Sequence, residues 1–467
     1  MALRHLAITG LAMSLLAACG APRLPKMTAE QNCHIGVYRL ADGRLLDIGP
    51  GDGPDLRWRL QDGQVGRLHA DRAWAATVGW TDRPDTTAVR WGDSCEGVTL
   101  VAPQGSVEGR RVALQVRDTS FKSGDQTLFG RLVLPPGDQP VPIIVQVHGS
   151  EKTAASLYNH TQRLVPAQGV GVFVYDKRGT GRSTGDYTQD FQVLGRDAAA
   201  AAMAARRLAG DRAGRVGFEG RSQGGWVAPI AANLTPVDFV IVGYGLADTP
   251  FAENRDEALQ DIASHGPGAR AGALEVITAT EGVMASNFTS GFERLEAAKA
   301  RYGKQPWFKD LKGEFTGDLA KYPSWILRIV GPTFNQQTPW TYDPLPTLRR
   351  LEAPTLWVLA GEDTAAPVAE TRRRLLALHA QGRPITVLEF PKTEHGMCTF
   401  ETDAKGQRRK VRYAEGYFQT SLDWARTGAL AGPYGDALLL TPAPSAGWRS
   451  AVPAPATPGS AQRRSGR

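Results

Sequence analysis

One serine stands in a setting that could make it a nucleophile. Residues 220–224 read Gly-Arg-Ser-Gln-Gly, with a short apolar run before them and the apolar, alanine-rich stretch 226–234 after them. This order predicts a strand, a sharp turn and a helix. In such a turn Ser222 has a strained backbone and its hydroxyl stands clear of the sheet, while Gly220 and Gly224 avoid collisions with the neighbouring backbone. An ordinary glycine-rich turn is the alternative interpretation, so the partners of the serine decide between the two.

A nucleophilic serine needs a base to take its proton and an acid to orient that base. After a strand with this turn, the usual chain order is serine, then acid, then histidine. The buried strand predicted over 354–360 is followed by Gly361-Glu362-Asp363, and the strand predicted over 385–390 is followed by a loop with His395. We predict Asp363 as the acid, with Glu362 as its local rival, and His395 as the base.

A second loop could stabilise the negative oxygen of a tetrahedral intermediate. The predicted strand 141–147 ends at His148-Gly149-Ser150. Backbone N–H groups at this strand end and just after the nucleophile form the oxyanion hole of such sites, so we predict the N–H groups of Ser150 and Gln223 as the donors. His148 lies before the serine in the chain and is interpreted as structural, hydrogen-bonded within its loop.

Apolar strands and helices alternate along the chain. The predicted strands cover 111–117, 128–134, 143–147, 170–175, 216–219, 239–243, 356–360 and 385–390, and the first two form an antiparallel pair. Helical stretches such as 193–208 and 368–380 lie between the later strands. This alternation predicts an α/β fold, with a mostly parallel eight-stranded sheet covered by helices on both faces.

Two segments carry a family resemblance. Residues 174–185 (Val-Tyr-Asp-Lys-Arg-Gly-Thr-Gly-Arg-Ser-Thr-Gly) and 222–229 (Ser-Gln-Gly-Gly-Trp-Val-Ala-Pro) resemble the serine aminopeptidase-like branch of the α/β-hydrolases, a branch of bacterial esterases, thioesterases and peptidases. The resemblance covers about 111–424. It implies a serine hydrolase that acts through an acyl-enzyme, without choosing esters over amides.

Nucleotide and metal cofactors are not expected. The loop Gly179–Gly185 lacks the Gly-Lys-Ser/Thr ending of a phosphate-binding loop, and Thr184 stands where a dinucleotide motif needs glycine. We interpret it as a tight turn whose Asp176 and Arg178 brace the active-site face. No spacing of cysteine and histidine suggests a metal site.

The distance between nucleophile and acid indicates an insertion. From Ser222 to Asp363 the chain runs 141 residues, far more than one strand and its helices need. We predict a helical cap over about 246–345, with an aromatic-rich end that contains Trp307, Phe308, Phe315, Tyr322, Trp325, Phe334, Trp340 and Tyr342. These aromatic side chains either line a substrate pocket or form the cap's own core.

The first residues resemble an export signal. A positive start is followed by an apolar run over 6–16 that is short for a membrane span, and Leu16-Ala17-Ala18-Cys19 resembles a bacterial lipobox. We predict a signal peptide over 1–18, lipidation at Cys19 and a linker over 19–32. The chain would then be an exported bacterial lipoprotein, held at a membrane and facing the periplasm or the cell exterior. A cleavage site with an incidental cysteine is the alternative.

The other cysteines are compatible with export. Cys33 and Cys95 flank one small region and could pair in an oxidising compartment, whereas Cys398 is expected to be a free, buried thiol. Residues 33–105 are dense in turn signals and short alternating runs, which predicts a small antiparallel β module.

The charge of the chain argues against a nucleic-acid partner. The net charge is +7, but four of the positive charges are arginines in the Pro- and Ala-rich stretch 442–467, which we predict to be a disordered tail. No basic stripe with interleaved aromatics occurs. The predicted hydrolase domain spans 110–430, and the expected substrate is a small carboxylic ester or, alternatively, a short peptide. A non-catalytic binding lipoprotein is a third interpretation, and the oligomeric state stays open.

Overall fold

The computed structural model describes residues 27–404 and 406–441. The predicted signal peptide, the lipidation site at Cys19 and the predicted tail 442–467 lie outside the described residues. Among the described residues, no helix combines the length and apolar character needed to cross a bilayer.

The amino-terminal module is a closed antiparallel barrel of eight strands, preceded by helix α1 (Ala29–His34). Apolar side chains from most of its strands fill the barrel, and Trp58 and Leu46 are among the fully buried ones. The barrel closes where Tyr38 pairs with Arg111, so it extends beyond the predicted boundary at residue 105. The strands are β1 (Gly36–Leu40), β2 (Leu45–Pro50), β3 (Leu56–Leu60), β4 (Val65–His69), β5 (Ala75–Thr77), β6 (Pro84–Trp91), β7 (Gly97–Ala102) and β8 (Gly105–Arg111).

A disulfide joins Cys33 of helix α1 to Cys95 in the β6–β7 loop, the pairing that the sequence left possible. Arg111 also links the residue after helix α1 to the β6–β7 loop. Its guanidinium donates to the carbonyl oxygens of Ile35 at 2.8 Å and Cys95 at 3.0 Å. Cys398 is a free, buried cysteine, and burial raises the pKa of its thiol to about 12.

A nine-stranded sheet forms the second part of the structure. Its strands are β9 (Gln115–Ser123), β10 (Gln126–Leu134), β11 (Val141–Val147), β12 (Gly171–Tyr175), β13 (Ala213–Arg221), β14 (Val240–Gly243), β15 (Thr355–Ala360), β16 (Ile385–Phe390) and β19 (Leu438–Leu439). Their order across the sheet is β19-β16-β15-β14-β13-β11-β12-β10-β9. Strands β11 to β16 pair in parallel, while β9, β10 and β19 pair antiparallel with their neighbours.

Two sequence predictions about this sheet need correction. The sheet has nine strands rather than eight, because the short strand β19 adds to the edge at β16. The predicted strand 111–117 is divided, since Arg111 closes the barrel and the opening hairpin begins only at Gln115. An unbroken β-prone run does not reveal that its two ends pair with different sheets.

Helices cover both faces of the sheet, as predicted for strands that are apolar on both sides. Helix α4 begins after Asp190, whose carboxylate accepts from the N–H groups of Gln192 at 2.8 Å and Val193 at 3.0 Å. Its alanine-rich face packs into one of the two main cores. The helices outside the insertion are α2 (Ala155–Tyr158), α3 (Thr161–Leu164), α4 (Phe191–Ala209), α5 (Gly224–Ala232), α11 (Leu345–Arg349), α12 (Val368–Ala380) and α13 (Tyr417–Thr427).

The insertion after β14 is helical, as predicted. It contains α6 (Pro250–Asp261), α7 (Pro267–Ala285), α8 (Phe292–Tyr302), α9 (Thr316–Lys321) and α10 (Ser324–Phe334). Trp307 and Phe315 are buried in a hydrophobic cluster of this insertion, and Phe308, Tyr322 and Trp340 pack on it. Trp325 is 61% exposed. The aromatic residues of the insertion therefore serve largely as its own core.

A β-hairpin that follows His395, the predicted base, contacts the barrel. Strands β17 (Cys398–Thr402) and β18 (Arg408–Tyr413) pair with each other and lie against the barrel. The N–H of Trp80 donates to the carbonyl of Lys410 at 3.1 Å, and the N–H of Tyr413 donates to the carbonyl of Gly63 at 2.9 Å. The barrel thus contacts the segment that follows His395.

Candidate active site

Ser222 occupies a sharp turn between strand β13 and helix α5. Its φ is +52°, a left-handed conformation that is unfavourable for a residue with a side chain. A Cβ on Gly220 would collide with the carbonyl of Gly224, and a Cβ on Gly224 would collide with the carbonyl of Val147. Both glycines are therefore required by close backbone approach, which is the physical basis of the G-x-S-x-G pattern.

The structure brings the three predicted triad side chains together. The Oγ of Ser222 lies 3.0 Å from Nε2 of His395, and Nδ1 of His395 lies 2.9 Å from Oδ2 of Asp363. A carboxylate only accepts hydrogen bonds, so Nδ1 carries the proton and Nε2 is free to accept from the serine hydroxyl. This tautomer is the one that a general base requires.

Asp363 is placed by its own loop. Its side chain is fully buried, and Oδ1 accepts from the N–H groups of Ala365 at 3.0 Å and Ala366 at 2.8 Å. These bonds leave Oδ2 directed at the histidine. The rival acid, Glu362, points away and pairs with Arg408 at 3.0 Å. The two neighbouring carboxylates thus have different partners, and Asp363 is the one that contacts His395.

The predicted oxyanion donors lie on either side of Ser222. Gln223 is the N-cap residue of helix α5, so its N–H lies at the positive end of the helix dipole. On the other side, a Cβ on Gly149 would lie 3.3 Å from Cβ of Ser222, which places the Gly149–Ser150 peptide beside the serine. Neither the N–H of Ser150 nor that of Gln223 donates to another described residue.

Two residues that sequence reasoning missed hold this loop. The ammonium of Lys177 donates to the carbonyl of Gly149 at 2.6 Å, and the hydroxyl of Tyr187 donates to the carbonyl of Ser150. Lys177 follows strand β12, and the carboxyl ends of parallel strands meet at one edge of a sheet. Its position at a strand end, within the segment 174–185 that carries the family resemblance, is the signal in the sequence that could have pointed to it.

The ring of His148 contacts both the end of strand β12 and its own loop, and its structural role stays a prediction. Its Nε2 lies 3.2 Å from the carbonyl oxygen of Tyr175, and its Nδ1 lies 3.2 Å from Oε1 of Glu151. Burial acts to raise the pKa of Glu151, but the His148 hydrogen bond and the charges of His148 and Lys177 outweigh it and lower that pKa to about 2. The Glu151 carboxyl group is therefore ionised, and it directly follows Ser150, one of the two predicted oxyanion donors.

Asp176 and Arg178 tie the loop after strand β12 to neighbouring segments. The carboxylate of Asp176 accepts from the N–H of Ser156 at 2.9 Å and from the N–H of Arg182 at 3.0 Å. The guanidinium of Arg178 pairs with Asp197 of helix α4 at 2.6 Å. These contacts agree with the interpretation of 179–185 as a structural turn.

Tyr244 and Lys410, also missed from sequence, contact the histidine. The Tyr244 ring stands edge-on to the His395 ring at 4.9 Å, and the Lys410 ammonium donates to the carbonyl of His395 at 2.8 Å. Tyr244 follows strand β14, so it too lies at a strand end. Lys410 belongs to the hairpin that contacts the barrel, and no local pattern in the sequence indicates that contact.

A cavity of about 460 Å³ opens at Ser222. Its walls combine polar and apolar surface, and no described residue of the helical insertion lines it. Arg221, the last residue of strand β13, also lines the cavity. Its Nη2 donates to the Glu219 carboxylate at 2.8 Å. The lining residues are Gln146, His148, Gly149, Ser150, Glu151, Thr153, Ala155, Tyr158, Asn159, His160, Arg221, Ser222, Tyr244, His395, Gly396 and Lys410.

A grouping of possible metal ligands lies elsewhere, on the barrel. Asp55, His69 and Asp71 bring ligand atoms within 4.8 Å of one another. Exposed acidic groupings of this kind are common in proteins without a metal, and none of the three residues lines the cavity at Ser222. The triad geometry itself is of the kind that acts without a metal or an organic cofactor.

Comparison with solved structures gives three examples with similar architecture. A Pyrococcus horikoshii acylaminoacyl peptidase is 15% identical with a TM-score of 0.37, over 77% of this chain and 52% of that one. A Pyrococcus furiosus esterase is 14% identical with a TM-score of 0.39, over 60% of this chain and 84% of that one. A Mycobacterium smegmatis proline iminopeptidase is 19% identical with a TM-score of 0.37, over 60% and 91%. The chain thus spans about half the length of the acylaminoacyl peptidase.

Comparison with protein families is more specific. No curated protein matches the chain in sequence. Residues 124–395 match the X-Pro dipeptidyl-peptidase (S15) family, whereas the resemblance to the serine aminopeptidase-like branch stays a prediction. The matched segment is more than half of the chain, and it runs from the opening hairpin of the sheet to His395. The chain is therefore an α/β-hydrolase, and it belongs to the X-Pro dipeptidyl-peptidase (S15) family.

Proposed function

We propose that the protein is a serine hydrolase that cleaves carboxylic esters through an acyl-enzyme, with Ser222, His395 and Asp363 as its catalytic triad. The observation that carries this proposal is the unbroken chain of hydrogen-bond distances, 3.0 Å and 2.9 Å, that joins the three side chains. A strained serine beside a correctly oriented histidine is typical of acyl transfer.

The reaction follows from the protonation states of these groups. The Oγ of Ser222 attacks the ester carbonyl carbon while Nε2 of His395 takes the hydroxyl proton, and Asp363 stabilises the imidazolium. The carbonyl oxygen becomes negative between the N–H groups of Ser150 and Gln223. The C–O bond then breaks, and the imidazolium gives its proton to the departing alcohol. A water molecule, deprotonated by His395, repeats the sequence on the acyl-enzyme and releases the acid.

Covalent labelling tests this assignment on the unmodified protein. A fluorophosphonate reacts with an activated serine and leaves its phosphonyl group on Oγ. We expect one phosphonyl group per chain, and peptide mass spectrometry should locate it on Ser222. Heat-denatured protein is the control, because its serines have no aligned base. Labelling on another serine, or equal labelling after denaturation, would contradict the proposal.

Charged groups in the walls of the cavity affect which acyl groups it can hold. The charged side chains of Arg221, Glu151 and Lys410 are among those that line it. Burying an alkyl chain against such groups gains little and leaves polar groups without water. We therefore propose short or polar acyl groups as substrates, in preference to long fatty acyl esters.

A specific observation favours a peptidase as the second candidate. Glu253 and Glu257 lie one turn apart on helix α6, and Glu314 precedes helix α9. Burial and the negative charges of Glu314, Asp261 and Asp363 raise the pKa of Glu257 to about 8. Burial also raises the pKa of Glu314, with the charge of His395 acting against it. Carboxyl groups of the insertion thus lie within electrostatic reach of the triad.

These carboxyl groups suit a positively charged substrate group. An ammonium group placed among them would relieve their mutual repulsion and favour their ionised form. The free amino terminus of a peptide carries such a group, and the family match is to X-Pro dipeptidyl-peptidases. Peptide amides with a free amino terminus are therefore the alternative substrates to esters.

The Glu257→Gln variant tests this alternative with a pair of substrates. We expect kcat/KM for alanyl-prolyl p-nitroanilide to fall by about 10- to 100-fold, since a hydrogen bond to a charged group contributes roughly 1.5–3 kcal/mol. The N-acetylated substrate, which lacks the ammonium group, should lose far less. Glu293→Gln, at an exposed carboxylate of helix α8, is the matched control. It should leave kcat/KM unchanged for both substrates. Equal losses for both substrates would count against amine recognition by Glu257.

A further inference from the structure

We propose that Lys177 is a positioning residue for the oxyanion hole, because its ammonium holds and polarises the peptide group between Gly149 and Ser150. The inference rests on the proposed function and adds a residue to it. Lys177 lies just after strand β12, and only 3% of the residue is exposed. Its Nζ donates to the carbonyl oxygen of Gly149 at 2.6 Å.

The hydrogen bond from Lys177 acts on the same peptide group that supplies a predicted oxyanion donor. The carbonyl of Gly149 and the N–H of Ser150 are opposite ends of the same planar peptide group. A hydrogen bond that fixes the carbonyl therefore also fixes the direction of the N–H that would bind the oxyanion. A charge-assisted bond of this length is among the stronger hydrogen bonds in proteins. It draws electron density toward the carbonyl oxygen, which makes the N–H a better donor.

Tyr187 holds the next peptide group in the same way. Its hydroxyl donates to the carbonyl of Ser150, and its ring lies 4.9 Å from Nζ of Lys177. The ammonium, the ring and the two carbonyls thus form one contact region. Without these contacts the loop would have to order its N–H during the reaction, which a preorganised site avoids.

The charge of Lys177 depends on the groups that face it. Burial lowers the pKa of Lys177 to about 8, while the Glu151 carboxylate acts to raise that pKa and the Lys152 ammonium to lower it. His148 neighbours Glu151, with Nδ1 at 3.2 Å, and burial raises the pKa of Tyr187 to about 12, so that hydroxyl keeps its proton. Below about pH 8 the ammonium is charged, and above it the polarising charge is lost. We expect kcat to fall on the alkaline side with this midpoint.

Three variants separate this role from a purely structural one. With a short neutral p-nitrophenyl ester, Lys177→Met should lower kcat by about 10- to 100-fold, somewhat below the loss of a whole oxyanion donor. KM should change little, since the substrate carbonyl is not yet an oxyanion. Lys177→Arg keeps a charge at all working pH values and should lose the decline of kcat near pH 8. Lys152→Met is the matched control at pH 7: Nζ of Lys152 lies 5.0 Å from the same Tyr187 ring, and kcat at that pH should stay at the wild-type value. Because the Lys152 ammonium lowers the pKa of Lys177, the alkaline decline of this variant should begin at a higher pH.

Several outcomes would overturn the inference. A folded Lys177→Met protein with wild-type kcat would do so, as would a Lys177→Arg protein with an unchanged alkaline decline. If Lys177→Met does not fold, the wild-type pH profile and Tyr187→Phe decide instead. A flat kcat through pH 9 would count against the role of the ammonium. Tyr187→Phe should lower kcat by about 2- to 10-fold, the range of one neutral hydrogen bond. If the proposed function itself were wrong, the result would be different: the fluorophosphonate would not label Ser222 in the unmodified protein.

Discussion

Replacing Ser222 with alanine is expected to lower kcat for short p-nitrophenyl esters by on the order of 10⁶-fold, since the nucleophile and its base act as one unit. The substitution removes only Oγ, so the turn and its positive φ stay in place. The melting temperature should therefore change little. The residual rate would come from binding and from the oxyanion donors, which do not need the hydroxyl.

The measurement needs a control for general damage to the protein. Ser106→Ala removes an exposed hydroxyl on barrel strand β8 and should leave kcat at the wild-type value. Fluorophosphonate labelling should disappear from Ser222→Ala and persist in Ser106→Ala. Substantial ester turnover by a folded Ser222→Ala protein would show that another group is the nucleophile.

Replacing Asp363 with asparagine is expected to lower kcat by about 10⁴-fold near neutral pH, with the fold intact. The asparagine oxygen can still accept from the N–H groups of Ala365 and Ala366, which leaves the amide NH₂ facing Nδ1 of His395. Nδ1 must then accept rather than donate, so the ring proton moves to Nε2. A protonated Nε2 cannot accept the hydroxyl proton of Ser222.

The neighbouring carboxylate supplies a matched control. Glu362→Gln makes the same chemical change one residue earlier, at a side chain that pairs with Arg408 rather than with His395. Its kcat should stay close to the wild-type value. Should Glu362→Gln be the slower variant and Asp363→Asn the normal one, the acid would have been assigned to the wrong residue.

Much of the site could be predicted from the sequence because its parts are local. The elbow requires glycines at fixed spacing around Ser222, since backbone atoms approach too closely for any side chain. Asp363 and His395 follow buried strands of a parallel sheet, and the ends of such strands meet at one edge. Apolar runs and chain order were therefore enough to bring these three residues together.

Other features could not be predicted, because they depend on packing between distant segments. The turn-rich stretch after Cys33 predicted a β module, but only the pairing of Tyr38 with Arg111 shows that it closes into a barrel. The aromatic residues of the insertion left two interpretations open, and burial assigns Trp307 and Phe315 to its own core. Side chains of the same type can serve either purpose.

The sequence by itself determined the candidates for nucleophile, base and acid, and the strands that present them, because steric limits and strand periodicity act over a few residues. Only the tertiary structure decided what supports and surrounds that chemistry. The ammonium of Lys177 beneath the Gly149 carbonyl, the carboxyl groups of helix α6 near Asp363 and the cavity beside Ser222 join segments far apart in the chain. Such contacts depend on how helices, hairpin and barrel pack, which no short-range pattern encodes.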